Sequence, residues 1–482
     1  MAKRERTVGD TKLDETLNLN MFFSYFFGGG LTLDTEEFVL VTSRSPRYYV
    51  SAAYWDRDSL LWSFPAILMA DSETAAEMLR YVFTRQIRNI GVHSRFIDGT
   101  LLEPGFELDE LCAPIIALGM YVEKTGDSSI LNEDCVKRGA DRILKLLSTK
   151  RSSEAALYET FLQPTDDMRS YPYICYDNVL VWYILGKLDA LYPGRWQGLT
   201  EEAGAVRAAI MEHGVKEKDG KPMFAWSVDL KGGWDIYDEP PGSLLLLPHY
   251  GFCGMDDEIW RNTAEVIRRK DYPYSFADCP IAEIGCPHAP HPWVLSISNS
   301  LLSDRKEQAG KHLSLCIMDN GIAARASMST QGEQDRRCLC HMRGLFGIRH
   351  RQRLRREKAG DGVKILPWVI ETEDCGKESR EFRESIFSLG NGYMGTRGYR
   401  PEQPGVHSAW RSTFISGFFE YIRPGITDMV NQPDFSATEI RISGRPVAEL
   451  GISECVQRLH MDSGLVEWEY TAEADGALCA CG

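Results

Sequence analysis

No stretch of the sequence is long and apolar enough to cross a membrane; the nearest approach, residues 21–27, is far too short. The opening residues M-A-K-R-E-R lack the apolar core of a secretory leader. Positive charge is scarce. Fifty-four Lys and Arg stand against 69 Asp and Glu, a net −15, which argues against non-specific nucleic-acid binding by the chain as a whole. Glycines 28–30 could suggest a phosphate loop, but no Lys-Ser or Lys-Thr follows them, so a plain turn is expected. The 13 cysteines form no metal-type pair in the first 320 residues. The C-x-C pairs Cys338/Cys340 and Cys479/Cys481 have no matching second half. We therefore expect reduced thiols in a cytoplasmic protein, with no metal and no cofactor.

What is present is a chain of 482 residues, long enough for two or more domains. Its focal stretch is Tyr54, Trp55, Asp56, Arg57 and Asp58, followed at helical spacing by Leu60, Leu61, Phe64, Ile67 and Leu68. The polar cluster thus stands at a helix N-terminus, where acids either cap free amides or hold the hydroxyls of a sugar. Further stripes follow: Leu111, Ile115, Leu118, Val122; Val136, Ala140, Ile143, Leu147; Val181, Ile184, Leu185, Leu188; and Val294, Ile297, Leu301. Roughly ten helices are expected between residues 59 and 316, stacked as antiparallel pairs in a ring with a funnel at one end.

Four loops between these helices carry acids and aromatics together. They hold Glu103, Phe106, Glu107 and Asp109; Phe161, Asp166 and Asp167; Trp234, Asp235, Tyr237, Asp238 and Glu239; and Glu283, His288, His291 and Trp293. Aromatic faces pack on the C–H face of a pyranose, and carboxylates accept its hydroxyl hydrogens. Paired carboxyls also suit glycoside hydrolysis, one giving a proton to the leaving oxygen and the other activating water. Any single loop is equally an acidic rim; four together favour a site. His288 and His291, spaced i, i+3 among prolines, read as hydrogen-bonding groups at the funnel rim.

Residues from about 50 to 322 resemble glycoside hydrolase family 125, the metal-independent exo-acting α-mannosidases. Its W-x-R-D-S element is Trp55, Arg57, Asp58, Ser59, and its E-L-D-S-L-C element is Glu107, Leu108, Asp109, Glu110, Leu111, Cys112. Its R-P-S-D-D element is Gln163, Pro164, Thr165, Asp166, Asp167. Asp238, Glu239 and Ser243 match D-D-A-N-x-P-S, while His288 and Trp293 match G-P-H and W-P-M-S. The resemblance implies a mainly α fold, an (α/α)6 toroid, with an inverting mechanism whose carboxyls lie about 6.5–9.5 Å apart. It places the general acid on the pair Asp166 and Asp167, with Asp167 favoured. Trp55, Arg57, Asp58, Asp109, Asp238, Glu239, His288 and Trp293 are carried over as substrate-binding. The implied partner is an oligosaccharide with a terminal α-linked hexose, mannose favoured. The family's general base lies in an H-E-S element; residues 319–327 here hold no Glu.

At that point the character of the chain changes. Residues 325–358 carry ten basic and three acidic side chains, a net +7, with no helical or strand period. This is a basic linker, a patch for an acidic partner, or an out-of-frame translation. In another register, permitted codons restore the missing Glu-Ser, a reading that the nucleotide sequence tests. From Lys364 a second pattern begins, with Asn-Gly turns, alternating apolar residues and an expected hairpin around residues 440–445. Residues 364–475 resemble the N-terminal β-sandwich of glycoside hydrolase family 65, the kojibiose, maltose and trehalose phosphorylases. The marks are E-S-x-F-S-x-G-N-G-Y-x-G-x-R-G from Glu384 to Gly398, then Val430, Asn431, Gln432, Pro433 and Leu459, Met461, Asp462, Gly464.

The expected layout is a helical domain over 1–323 forming an incomplete toroid, a basic segment over 324–363, and a truncated β-sandwich over 364–482. The expected function is an exo-α-mannosidase-like hydrolase lacking its general base. The alternatives are a non-catalytic carbohydrate-binding chimera, or a fragment of a family 65 disaccharide phosphorylase.

Overall fold

In a computed structural model of the chain, the described residues are 5–9, 11–32, 35–40, 53–287, 290–316, 365–366, 369–373, 386–390, 394–400, 413–415, 418–423, 426–433, 438–474 and 477–481. The basic segment, the stretch expected to carry the general base, residues 384–385 and 391–393 of the Glu384–Gly398 mark, and His288 lie outside them. The described residues fall into two compact units. One gathers those up to Ala53 and those from Ile365 onward; the other is Tyr54–Cys316.

The second unit is helical. It contains α2 (Phe64–Ala70), α3 (Ser72–Thr84), α4 (Leu108–Thr125), α5 (Asp134–Ser148), α6 (Cys175–Leu191), α7 (Leu199–Ala209), α8 (Glu258–Arg268), α9 (Val294–Leu302) and α10 (Lys306–Cys316). Four of the five apolar stripes read from the sequence lie on one of these helices each, and the stripe from Leu60 to Leu68 runs from the π-helical turn Arg57–Ser63 into α2. They pack as neighbours: α3 on α5, α4 on α6, α6 on α7, α9 on α10. Two helices depart from the one-stripe pattern. Residues 108–119 of α4 and 175–181 of α6 are buried on every face, so both are interior helices rather than surface ones. Asp71 and Asp257 cap α3 and α8 through the amides of Thr74 and Trp260. Gly126 ends α4 in the left-handed conformation, φ 73°. Short antiparallel pairs fill the connections, among them Val92–Arg95 with Leu101–Phe106.

The first unit joins α1 (Thr11–Gly28) to antiparallel sheets. Its largest sheet has five strands in the order Ile365–Leu366, Val369–Thr372, Gly451–His460, Leu465–Ala474, Ala477–Cys481. Arg458 bridges three of them, pairing with Glu371 at 2.5 Å and Glu469 at 2.6 Å. The expected hairpin is present: Arg441–Ile442 pairs with Arg445–Pro446 around Ser443 and Gly444, both at positive φ, as a primed two-residue turn demands. The core of this unit packs Leu19 of α1 with Ile370, Ile386, Phe387, Leu459 and Val466. Residues 5–40, read in the sequence as the start of the helical domain, are thus found with the sheets. Leu19→Ala is expected to destabilise this unit by about 2–5 kcal/mol, the usual cost of emptying a buried leucine site. Proteolysis of the 451–474 strands with increasing urea measures it.

Two expectations need correction. Glycines 28–30 are not a turn: Gly28 closes α1, and Gly29–Leu31 pairs with Phe38–Leu40. A Cβ on Gly29 would lie 2.4 Å from the Tyr25 carbonyl oxygen, so close backbone approach, not turning, requires the glycine. The thiols are not all reduced either. Cys112, Cys135, Cys175 and Cys253 are free thiols, but Cys455 is disulfide-bonded.

Candidate active site

The focal stretch sits where the sequence reading put it, at the start of a helix, but its first turn is π-helical, spanning Arg57–Ser63. Such single π turns recur at functional sites. Glu110, in the first turn of α4, accepts the backbone N–H groups of Asp56 and Arg57 and so caps the turn from outside. Asp56 pairs with Arg95 and accepts the Tyr54 hydroxyl at 2.9 Å. With its start fixed, the helix directs Arg57 inward, where it is 1% exposed.

Arg57 is the hub. Its guanidinium meets Glu107 (2.8 Å from Nη1), Asp166 (3.0 Å), Asp109 (3.3 Å) and Glu110 (3.5 Å). Glu107 precedes α4, and Asp109 and Glu110 begin it, so the helix dipole helps hold three acids together. Asp166 comes from a tight turn closed by the Asp166 N–H to the Gln163 carbonyl, 2.8 Å, with Leu162 and Met168 bridged below it. Pro164 follows Gln163 where such turns favour proline. Asp166 takes φ 68°, a conformation that aspartate tolerates better than most side chains.

His93 completes the cluster from the strand Val92–Arg95. Its Nδ1 lies 3.0 Å from Glu107 and 3.4 Å from Asp166, and its Nε2 lies 3.3 Å from Glu103. Trp55 meets the imidazole edge-on at 5.6 Å. Burial works against the imidazolium, but hydrogen bonds to Asp166, Glu103 and Glu107 outweigh it and push His93 up to about 12. A histidine raised in this way stabilises the fold fully below pH 6.5 and loses the contribution as pH rises through 12. His93→Gln is therefore expected to be less stable than the native chain at pH 6, with the gap narrowing steadily toward alkaline pH. Urea unfolding across pH 6–10 measures it.

Behind this cluster lie more buried carboxyls. Burial raises Glu107 to about 7, against the pull of Arg57. Burial likewise raises Glu110, Asp177 and Glu239 well above the carboxylate range. Neighbouring acids reinforce the effect at Asp177, whose carboxyl feels Asp109, Glu107 and Glu239. Glu239 accepts hydrogen bonds from Thr165 (2.6 Å) and Tyr237 (3.1 Å). Among the described residues, Trp55 Nε1, Gln163 Oε1, Glu239 Oε1 and both Asp177 oxygens have no hydrogen-bond partner. Buried polar atoms so placed are what a hydroxyl-rich ligand would satisfy.

The structure thus gathers Trp55, Arg57, Asp109, Asp166 and Glu239 of the sequence-derived residues. Asp58 is half-buried in the first turn of the π helix, and Asp167 is exposed beside Asp166. Asp238 is turned to its own loop, accepting the Ser243 hydroxyl (2.7 Å) and the Leu244 N–H (2.8 Å). Trp293 is buried where α9 starts. Sequence reasoning missed His93 and Asp177; Glu107 was read as a loop acid and meets Arg57 and His93. Glu283, likewise read as a loop acid, holds His312 (2.8 Å), Ser296 (2.7 Å) and Ser300 (3.0 Å) and so ties its loop to α9 and α10.

His93, Glu107 and Asp166 offer ligand atoms all within 4.8 Å of one another, the one set of that kind among the described residues. A cation there would have to displace the His93 proton and sit against the Arg57 guanidinium. The cluster is therefore better suited to an ion-pair network than to a metal.

Two family models match the chain, each over one segment. Residues 150–329 match the metal-independent alpha-mannosidase family, GH125. Residues 370–478 match the N-terminal domain of glycosyl hydrolase family 65. A solved metal-independent alpha mannosidase from Streptococcus pneumoniae, in a non-productive complex with alpha-1,6-mannobiose, shares the fold. It has TM-score 0.57 and 18% identity, over 65% of this chain and 87% of that one. Two curated relatives are shorter matches. A kojibiose phosphorylase of Halothermothrix orenii is 31% identical over 77 residues, 16% of this chain. The meiotically up-regulated gene 157 protein of Schizosaccharomyces pombe is 27% identical over 169 residues, 33% of this chain. The chain spans only 10% and 33% of the lengths of these relatives. The GH125 match includes the Asp166–Asp167 turn, Asp177, Asp238, Glu239 and Trp293, and Arg57, His93 and Glu107 lie before it in sequence.

Proposed function

We propose that residues 54–316 form the helical, toroid-type body of an inverting exo-α-mannosidase-like glycoside hydrolase acting on a terminal α-linked hexose. The observation that carries this reading is the turn bearing Asp166 and Asp167, held by Arg57 and His93, with Glu239 hydrogen-bonded to Thr165 of the same turn and buried oxygens of Glu239 and Asp177 left without a hydrogen-bond partner among the described residues. In this reading Asp167 gives its proton to the leaving oxygen. Asp166, with a guanidinium and an imidazolium against it, holds charge and fixes the turn. The carboxyls of Asp109, Asp177 and Glu239 accept sugar hydroxyls, and Trp55 supplies an aromatic wall.

The general base is the open part of the constellation, since residues 319–327 contain no Glu. The test is therefore run on an aryl α-mannoside with and without azide. Azide attacks the anomeric carbon as the C–O bond breaks, Asp167 protonates the departing oxygen, and β-mannosyl azide forms. Product of that configuration supports the reading. Binding of α-1,6-mannobiose without any turnover favours the second reading, a carbohydrate-binding chain without a base. Neither binding nor turnover overturns both. For the family 65-like strands we expect no phosphorolysis of kojibiose, and phosphate-dependent release of glucose 1-phosphate would contradict that.

A further inference from the structure

We propose that Thr165 is a positioning residue: its hydroxyl ties the Asp166–Asp167 turn to the loop of Glu239, and the turn keeps its working geometry through that bond. This rests on the hydrolase reading above. The turn needs such a hold. Asp166 takes φ 68°, and a residue with a side chain persists in that conformation only where its surroundings fix it. Arg57 and His93 grip the turn through a single residue, Asp166. A second grip comes from Thr165, one position earlier.

The Thr165 hydroxyl donates to Glu239 Oε2 at 2.6 Å and accepts from Gln163 Nε2 at 3.1 Å. Gln163, Thr165 and Glu239 are all buried, so the bond is shielded from water. Gln163 also closes the turn, its N–H donating to the Asp167 carbonyl at 2.9 Å. It thus joins Thr165 to Asp167, by side chain on one side and backbone on the other. The far end of the Thr165 bond is fixed in its turn. Glu239 Oε2 also accepts the Tyr237 hydroxyl at 3.1 Å, and the Glu239 backbone pairs with Gly242. A Cβ on Gly242 would lie 2.6 Å from Pro164 and 2.6 Å from the Tyr176 ring, so the loop sets bare backbone directly against the turn. Packing at Pro164 stops the turn from sinking, and the hydroxyl of Thr165 stops it from lifting. A general acid works only within hydrogen-bond reach of the leaving oxygen, so a small displacement of its turn costs rate rather than binding.

The experiment measures kcat and KM for azide-dependent cleavage of the aryl α-mannoside by the full chain and its variants, with urea unfolding as the check on folding. Thr165→Val should lower kcat about ten- to a hundredfold and leave KM unchanged. Thr165→Ser keeps the hydroxyl and should restore the rate. Tyr237→Phe takes the other donor from the same oxygen without touching the turn, and should leave kcat unchanged. Thr165→Cys, with a thiol as a weak donor, should give an intermediate kcat and serves in place of a valine variant that does not fold. Asp166→Asn loosens the turn by itself, so adding Thr165→Val to it should cost much less than Thr165→Val alone. Native kcat in Thr165→Val, an equal loss in Tyr237→Phe, or additive losses with Asp166→Asn overturn the positioning role while the hydrolase reading stands. Absence of turnover by the native chain overturns that reading and the role with it.

Discussion

Replacing Asp167 by asparagine should lower azide-dependent cleavage of an unactivated α-mannoside about 10²–10⁴-fold, the usual worth of a general acid. Cleavage of α-mannosyl fluoride should hardly change, because fluoride departs without a proton. The two substrates together separate proton donation from binding. Asp166→Asn should behave differently. Asp166 touches Arg57 and His93 and is poorly placed to release a proton. Its loss should slow both substrates alike, by loosening the turn. Equal loss on both substrates for Asp167→Asn, with discrimination for Asp166→Asn, would move the acid by one residue.

Arg57→Met should be the most destabilising single substitution in the helical unit. Methionine nearly keeps the volume and removes the one cation that Glu107, Asp109, Glu110 and Asp166 share. Uncompensated buried charge of this kind costs about 3–5 kcal/mol. The penalty has a direction in pH. Without the guanidinium, the buried carboxyls of Glu107, Asp109 and Glu110 rise further above their unfolded values near 4, so the variant is penalised little below pH 4. The deficit grows as pH rises, because ionising them costs more in the folded state. Urea unfolding at pH 4 and pH 8 should show a small and a large gap from the native chain, respectively. A pH-independent gap would mean that lost packing, not charge, is responsible.

The helices were legible because a stripe at a spacing of three and four residues survives burial, as in α5 (Val136, Ala140, Ile143, Leu147). The motif at residues 55–59 was legible because its charged residues are contiguous. Other parts of the site were not. His93 lies on a four-residue strand where alternation carries no information, and its partners stand 10, 14 and 73 residues away in sequence. Asp177 reads as an ordinary acid in the first turn of a helix, since its surroundings of Asp109, Glu107 and Glu239 come from other elements. Asp238 shows the converse. Its place among aromatics suggested a ligand, whereas its carboxylate is spent on the amide and hydroxyl of the next turn. Sequence pattern reports what one element presents, and says little of what a second element brings to meet it.

The partnership of Leu19 with Ile370, Leu459 and Val466 also bears on how the chain is made. A ribosome adding about 5–20 residues each second needs about 20–70 s to travel from the first of these positions to the second. Throughout that interval the apolar side of α1 has been synthesised but the strands that will cover it have not. The whole helical unit emerges in between, so the nascent chain meanwhile carries an uncovered greasy segment, a natural client for a holding chaperone.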